Sequence, residues 1–122
     1  MDLADAERFT TQWADDWNSH DLERILAHYS DDIVFASPRI ADIMGDPAGE
    51  VRGKDALRAY WARGLEHLPD LHFSVEDVRA SVDTIVINYR NELGRAVAEV
   101  LTFRGDLVCR GFGAYGRTPA GD

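Results

Sequence analysis

Glu99 stands where a carboxylate can do chemistry. The alternation of Val97, Glu99, Leu101 and Phe103 places it on the apolar face of a predicted strand. Desolvating a charge there costs several kcal/mol unless it is paired, lines a cavity, or is neutralised by a raised pKa. Two readings follow. One is a buried ion pair with Arg90 or Arg110; the other is a pocket acid that carries a proton near neutral pH. Parity argues against both arginines, which face out if Tyr89 and Gly111 face in. Trp13, Trp17, Tyr29, Tyr60, Trp61, Tyr89 and Tyr115 offer apolar area and hydrogen-bond donors for a small-molecule pocket, with core packing as the competing role. Gly111 and Gly113, on one strand face, remove side-chain volume either for a cavity or for a sharp bend. Asp42 and Asp46 follow Ser37 and are candidates for a second acid at a pocket mouth, or are solvated loop acids.

Other chemistries find little purchase. The histidines are scattered, and neither His67 and His72 nor His20 and His28 have metal-ligand spacing; His20 is expected to satisfy backbone groups at a helix junction. Cys109 is the sole cysteine, which excludes an internal disulfide and a cysteine-based metal site, and it reads as a small core hydrophobe. There is no glycine-rich phosphate loop, nucleophile elbow or Ser-His-Asp order. Cofactor-independent, metal-free chemistry is the expectation. A net charge of −9 opposes nucleic acid and anionic lipid surfaces. The apolar runs are too short to span a bilayer, and the start, MDLADAERF, lacks the features of a signal peptide, so a cytoplasmic location is expected.

The elements that must position these residues change period along the chain. Phe9, Trp13 and Trp17, with Ala6 and Ala14, form one helical stripe. Asp21 is an N-cap for a second helix carrying Leu22, Ile25, Leu26 and Tyr29, ended by Asp31-Asp32. Ile33, Phe35 and Ser37 make a short strand stopped by Pro38, and residues 39–52 read as a long irregular loop of the kind that serves as a lid or rim. A third helix opens at Gly53-Lys54-Asp55, carries Leu57, Tyr60, Trp61 and Leu65, and closes before Pro69. Four strands follow, marked by Leu71, Phe73 and Val75; by Ile85, Ile87 and Tyr89; by the Glu99 run; and by Cys109, Gly111, Gly113 and Tyr115. Turns at Glu92 to Arg95 and at Gly105-Asp106 make the sheet mostly antiparallel, and helices before strands argue an α+β domain. The domain is read as residues 1–116, with 117–122 a flexible tail.

Three segments together resemble the nuclear transport factor 2-like superfamily in its SnoaL-like branch. They are Trp17-Asn18-Ser19-His20-Asp21; Tyr29-Ser30-Asp31-Asp32 leading into Phe35-Ala36-Ser37-Pro38; and Arg52 to Leu57 with Tyr60-Trp61. The resemblance spans about residues 5–116. It implies a cone: a bent sheet wrapped around a pocket closed by three N-terminal helices, commonly dimeric through the outer sheet face. The superfamily includes ketosteroid isomerases, polyketide cyclases, epoxide hydrolases, dehydratases and non-catalytic binding domains. By similarity, Ser37 stands where the isomerases have their general-base Asp, Trp13 where they have an oxyanion-binding Tyr, and Leu101 where they have a neutral carboxylic acid. Arg90 and Glu92 loosely match an epoxide hydrolase acid–arginine group, but Gly113 and Ala114 supply no second acid. The resemblance and the residues together predict Glu99 and Tyr29 as catalytic groups. Trp13, Trp17, Phe35, Ser37, Tyr60, Trp61, Tyr89, Leu101, Gly111 and Gly113 are predicted to contact a small apolar substrate, with Trp13 and Trp61 orienting it. The expected activity is isomerase, cyclase or dehydratase chemistry on an apolar carbonyl or polyketide-like molecule; the alternative is a non-catalytic module that binds a hydrophobic ligand or dimerises.

Overall fold

The structure is a computed structural model, and it describes residues 1–117; the proposed tail lies outside the described residues from residue 118 on. Helix α1 (Leu3–Ser19) starts at Asp2, whose carboxylate accepts the Asp5 N–H, and stops at His20, which adopts a left-handed backbone conformation. Its stripe of Ala6, Trp13, Ala14 and Trp17 is buried, as the spacing predicts. Asp21 then caps α2 (Leu22–Leu26).

That second helix is shorter than its apolar spacing suggests. Tyr29 belongs instead to β1 (Tyr29–Ala36), where it pairs with Val108. The carbonyl of His28 accepts the Val108 N–H at 2.9 Å, so a long-range ladder takes over from a local helical preference. Asp31 and Asp32 lie within the strand and face solvent, where Asp32 pairs with Arg104 at 2.7 Å.

The segment 39–52 is also more ordered than a loop. Ser37 accepts the Arg39 N–H at 3.2 Å and caps α3 (Pro38–Met44), with Pro38 in its first turn and Gly45, at positive φ, closing it. Strand β2 (Glu50–Arg52) then pairs antiparallel with β1. Helix α4 (Lys54–His67) buries Leu57, Tyr60 and Trp61. Among the described residues the sheet is therefore closed by four helices, one more than expected.

The sheet continues with β3 (Ser74–Ala80), β4 (Thr84–Arg90), β5 (Ala96–Arg104) and β6 (Leu107–Tyr115) in the order β2-β1-β6-β5-β4-β3. It is curved and unclosed, and antiparallel except between β1 and β6. The turn after β4 is built by the Asn91 side chain, which accepts from Leu93 N–H and Arg95 N–H. Two local readings give way to tertiary structure. Leu71 and Phe73 precede β3 rather than alternating within it, because the Asn18 amide holds Phe73 by both its N–H and its carbonyl, at 2.7 and 3.0 Å. The alternation in β6 slips at a bulge between the Thr102 and Phe103 pairings. Val108 is consequently fully buried, while Cys109 turns to the half-buried outer side.

The apolar core fills the concave side of the sheet beneath the helices. On the other side, Ala36, Phe112, Val100 and Val86 lie in one row across four strands. Phe112 is 45% exposed there.

Candidate functional site

Glu99 sits in the middle of β5 with Ile87 and Gly113 as its cross-strand neighbours. Both flanking positions suit a carboxyl that points inward. Ile87 is fully buried, and a Cβ at Gly113 would lie 3.1 Å from Glu99 Oε1, so the missing side chain gives the carboxyl its space. Gly111 makes room in the same way two residues earlier on β6, where a Cβ would meet Leu101 at 3.0 Å and Phe35 at 3.1 Å.

The Glu99 side chain is buried without a cation among the described residues. Its one hydrogen bond comes from the Tyr89 hydroxyl, which donates to Oε1 at 3.2 Å. Burial pushes its pKa up to about 8, and the Tyr89 hydrogen bond acts in the opposite direction. Neither arginine considered from the sequence reaches it: Arg90 turns outward to Glu76 at 3.4 Å, and Arg110 is exposed. All four tyrosines of the chain surround this acid. Burial raises the phenol pKa of Tyr29, Tyr60, Tyr89 and Tyr115, and the charge on Glu99 adds to the shift in each. At neutral pH the group therefore holds its protons: a largely neutral carboxyl among neutral phenols.

A small pocket opens beside this group, with a cavity volume of about 70 Å³. Seven of the twelve residues predicted as catalytic or substrate-contacting line it, namely Trp17, Phe35, Ser37, Tyr60, Trp61, Tyr89 and Glu99, and Tyr115 joins them. Trp61 is the hub of the aromatic wall, edge-on to Trp17 and Tyr29 at 4.9 Å and to Phe35 at 5.5 Å. The other five lie behind that lining. Trp13 and Tyr29 are each 1% exposed, and the Trp13 indole N–H donates to the Tyr29 hydroxyl at 3.2 Å. Tyr29 thus braces the wall beneath Trp61. Leu101, Gly111 and Gly113 form the floor under Glu99 and Phe35.

Sequence reasoning missed the mouth. Arg39 and Ile43 of α3 line one side, and Asn91 and Glu92 of the β4–β5 turn also belong to the lining. Asp42 is exposed and Asp46 caps the Ala48 N–H at 2.9 Å, so Glu92 is the second acid of the pocket instead. The Ser37-Pro38 cap and Gly45 were the available signal for α3. His20 does bind backbone, its Nε2 lying 2.8 Å from the Leu71 carbonyl oxygen. Among the described residues, no three His, Cys, Asp or Glu side chains gather as a metal site.

A curved mixed sheet folded over a helix-closed pocket is the nuclear transport factor 2-like architecture. The chain belongs to the SnoaL-like domain family, whose profile matches residues 10–111. It is 41% identical to a SnoaL-like protein of unknown function from Burkholderia thailandensis, with a TM-score of 0.89 over 96% of this chain and 99% of that one. A nuclear transport factor 2-like protein from Anabaena variabilis shares the fold at 21% identity, with a TM-score of 0.76 over 94% and 89% of the two chains. TerC, crystallised with polyporic acid, shares it at 14% identity, with a TM-score of 0.73 over 88% of each chain. No curated protein matches by sequence. The family and the pocket make this a small-molecule pocket protein, and no helix among the described residues is long and apolar enough to cross a membrane.

Proposed function

We propose that the protein is a cofactor-independent enzyme that moves protons on a small, apolar, carbonyl-containing or polyketide-like molecule, in the manner of an isomerase, cyclase or dehydratase. The observation that carries this reading is the Glu99 carboxyl. It is buried beside an open pocket, lacks a counter-ion among the described residues, and has a pKa raised to about 8. A carboxyl in that state gives and takes protons near neutral pH, where an ordinary carboxylate is a weak base and a scarce acid. Tyr60, Tyr89 and Tyr115 are the phenols of the pocket lining and supply hydrogen-bond donors to a carbonyl oxygen whose charge grows as a neighbouring C–H bond breaks. Tyr29 then serves as support for Trp61 rather than as a group that touches substrate.

Deuterium exchange α to the carbonyl of β-tetralone, followed by NMR, tests the reading. Wild type should accelerate exchange, increasingly as pH rises through about 8 and Glu99 becomes a base. Glu99→Gln should slow it by about 100-fold or more. Binding of aryl ketones without accelerated exchange across a panel would favour the second reading, a non-catalytic module for hydrophobic ligands. Ser37 and Trp13, which stand where the resemblance places the isomerases' acid–base and oxyanion groups, favour that reading.

We also propose a cytoplasmic homodimer formed through the outer sheet face. The Ala36, Phe112, Val100 and Val86 row supports it, since exposed apolar sheet faces mark association surfaces. Light scattering at micromolar concentration should give twice the chain mass, and Phe112→Asp should halve it.

A further inference from the structure

Arginines in this chain mostly have evident partners. Arg8, Arg24, Arg52, Arg58, Arg79, Arg90 and Arg104 pair with acids, and Arg63 and Arg95 donate to main-chain carbonyls. Arg39 differs. It is half-buried and lines the pocket, and among the described residues its guanidinium has neither an acid nor a hydrogen-bond acceptor. It lies over the face of Tyr115, whose centroid is 6.0 Å away, and Arg95 sits 5.0 Å from the same ring. No other cation lines the pocket among the described residues.

A second donor is also unspent. The indole N–H of Trp17, a pocket-lining residue 7% exposed, is the one buried side-chain polar atom among the described residues with no hydrogen-bond partner. It neighbours the Tyr29 hydroxyl behind the pocket lining, which already accepts from Trp13. Glu99 is largely protonated at neutral pH and Tyr60 and Tyr115 hold their phenol protons, so they add donors rather than negative charge. Glu92 is the opposing charge. It lines the same pocket from the β4–β5 turn but forms no ion pair with Arg39 within 4.0 Å.

We propose that Arg39 is the specificity residue of this pocket, and that its ligand is an apolar, ring-sized organic anion whose carboxylate or ionised enol oxygen pairs with the Arg39 guanidinium. The inference rests on the small-molecule reading above and adds a substrate class to it. A planar guanidinium suits both kinds of oxygen anion, because it presents paired N–H donors and stays charged throughout the working pH range. Glu92 across the pocket would then oppose anions that enter without meeting Arg39.

Calorimetric titration of the full chain with matched naphthyl probes tests the assignment. Naphthoate is compared with naphthamide for the carboxylate arm, and hydroxynaphthoquinone with methoxynaphthoquinone for the enol arm. Wild type should bind the anion of at least one pair about tenfold or more tightly than its neutral counterpart. Arg39→Gln should abolish that preference, with circular dichroism confirming the fold. Arg39→Lys should retain some of it. Equal affinity within both pairs, or a preference that survives Arg39→Gln, would overturn the assignment while leaving the pocket reading intact. Tighter binding of naphthylmethylammonium would overturn it too, giving the mouth to Glu92. Absence of binding by every probe would overturn the pocket reading and this inference with it.

Discussion

Asp16 on α1 and Glu99 on β5 are both buried acids, 3% and 7% exposed, yet their neighbourhoods differ in kind. Asp16 is surrounded by donors. Arg24 reaches it at 2.9 Å, His28 at 2.6 Å and the Gln12 amide at 2.9 Å, so one carboxylate ties α1 to the start of α2 and to the entry of β1. Glu99 has a single phenol for company and an open pocket beside it. Burial alone therefore does not separate a structural acid from a chemical one. The number and charge of the groups that meet the carboxyl do: donors meet both oxygens of Asp16, whereas Glu99, with one phenol, is driven towards its neutral form.

The sharpest way to break this comparison is to neutralise both acids and follow stability against pH. In the folded protein Glu99 has a pKa of about 8, against 4.5 for an ordinary glutamate. The folded state therefore binds the proton more tightly than the unfolded chain. The stabilisation this brings is complete below pH 4.5 and is lost as pH rises through about 8. Glu99→Gln, which mimics the neutral form, should remove that pH dependence. Relative to wild type it should gain up to about 5 kcal/mol between acidic pH and pH 9, read from denaturant midpoints. A wild-type profile flat across this range would contradict the unpaired state of Glu99.

Asp16→Ala should go the other way. Losing the common partner of Arg24, His28 and Gln12 is expected to cost about 2–4 kcal/mol at pH 7. Naphthyl-probe affinity should not change, because Asp16 does not line the pocket. A large loss of affinity with little loss of stability would mean that the two acids do not divide their roles in this way.

Tyr89→Phe is the subtlest of the three. Tyr89 supplies the one hydrogen bond that favours the Glu99 anion, so its removal should move the Glu99 carboxyl titration, followed by carbon NMR, further upward. The accompanying stability change should be about 1 kcal/mol, one hydrogen bond's worth. A downward shift would show that some other group holds the Glu99 charge.

How much of this was legible from the chain depends on how local the information is. The inward position of Glu99 was readable because its neighbours alternate through the whole strand, and period two survives intact in β5. The outward turn of Arg90 followed from the same parity. Asp16 gave no such signal: it sits between Asp15 and Trp17, and two of its three partners lie beyond a helix break. Arg39 was hidden by reading residues 39–52 as a loop, although Ser37-Pro38 and Gly45 mark the two ends of a helix. Cys109 misled because a bulge shifts the phase of β6, and bulges depend on the facing strand rather than on the bulged residues alone.

The amino-acid sequence by itself determined the family, the cap at Asp21, the aromatic stripe of α1 and the inward row that contains Glu99. Those features are set by neighbours a few residues apart, where periodicity and capping act. Tertiary structure alone decided that Tyr29 leaves its helical spacing for a strand, that α3 carries Arg39 to the pocket, and that Glu99 meets no counter-ion among the described residues. Each of these turns on groups far apart in sequence coming within a few ångströms, or failing to, and hydrogen bonding, desolvation and ion pairing all act over that distance.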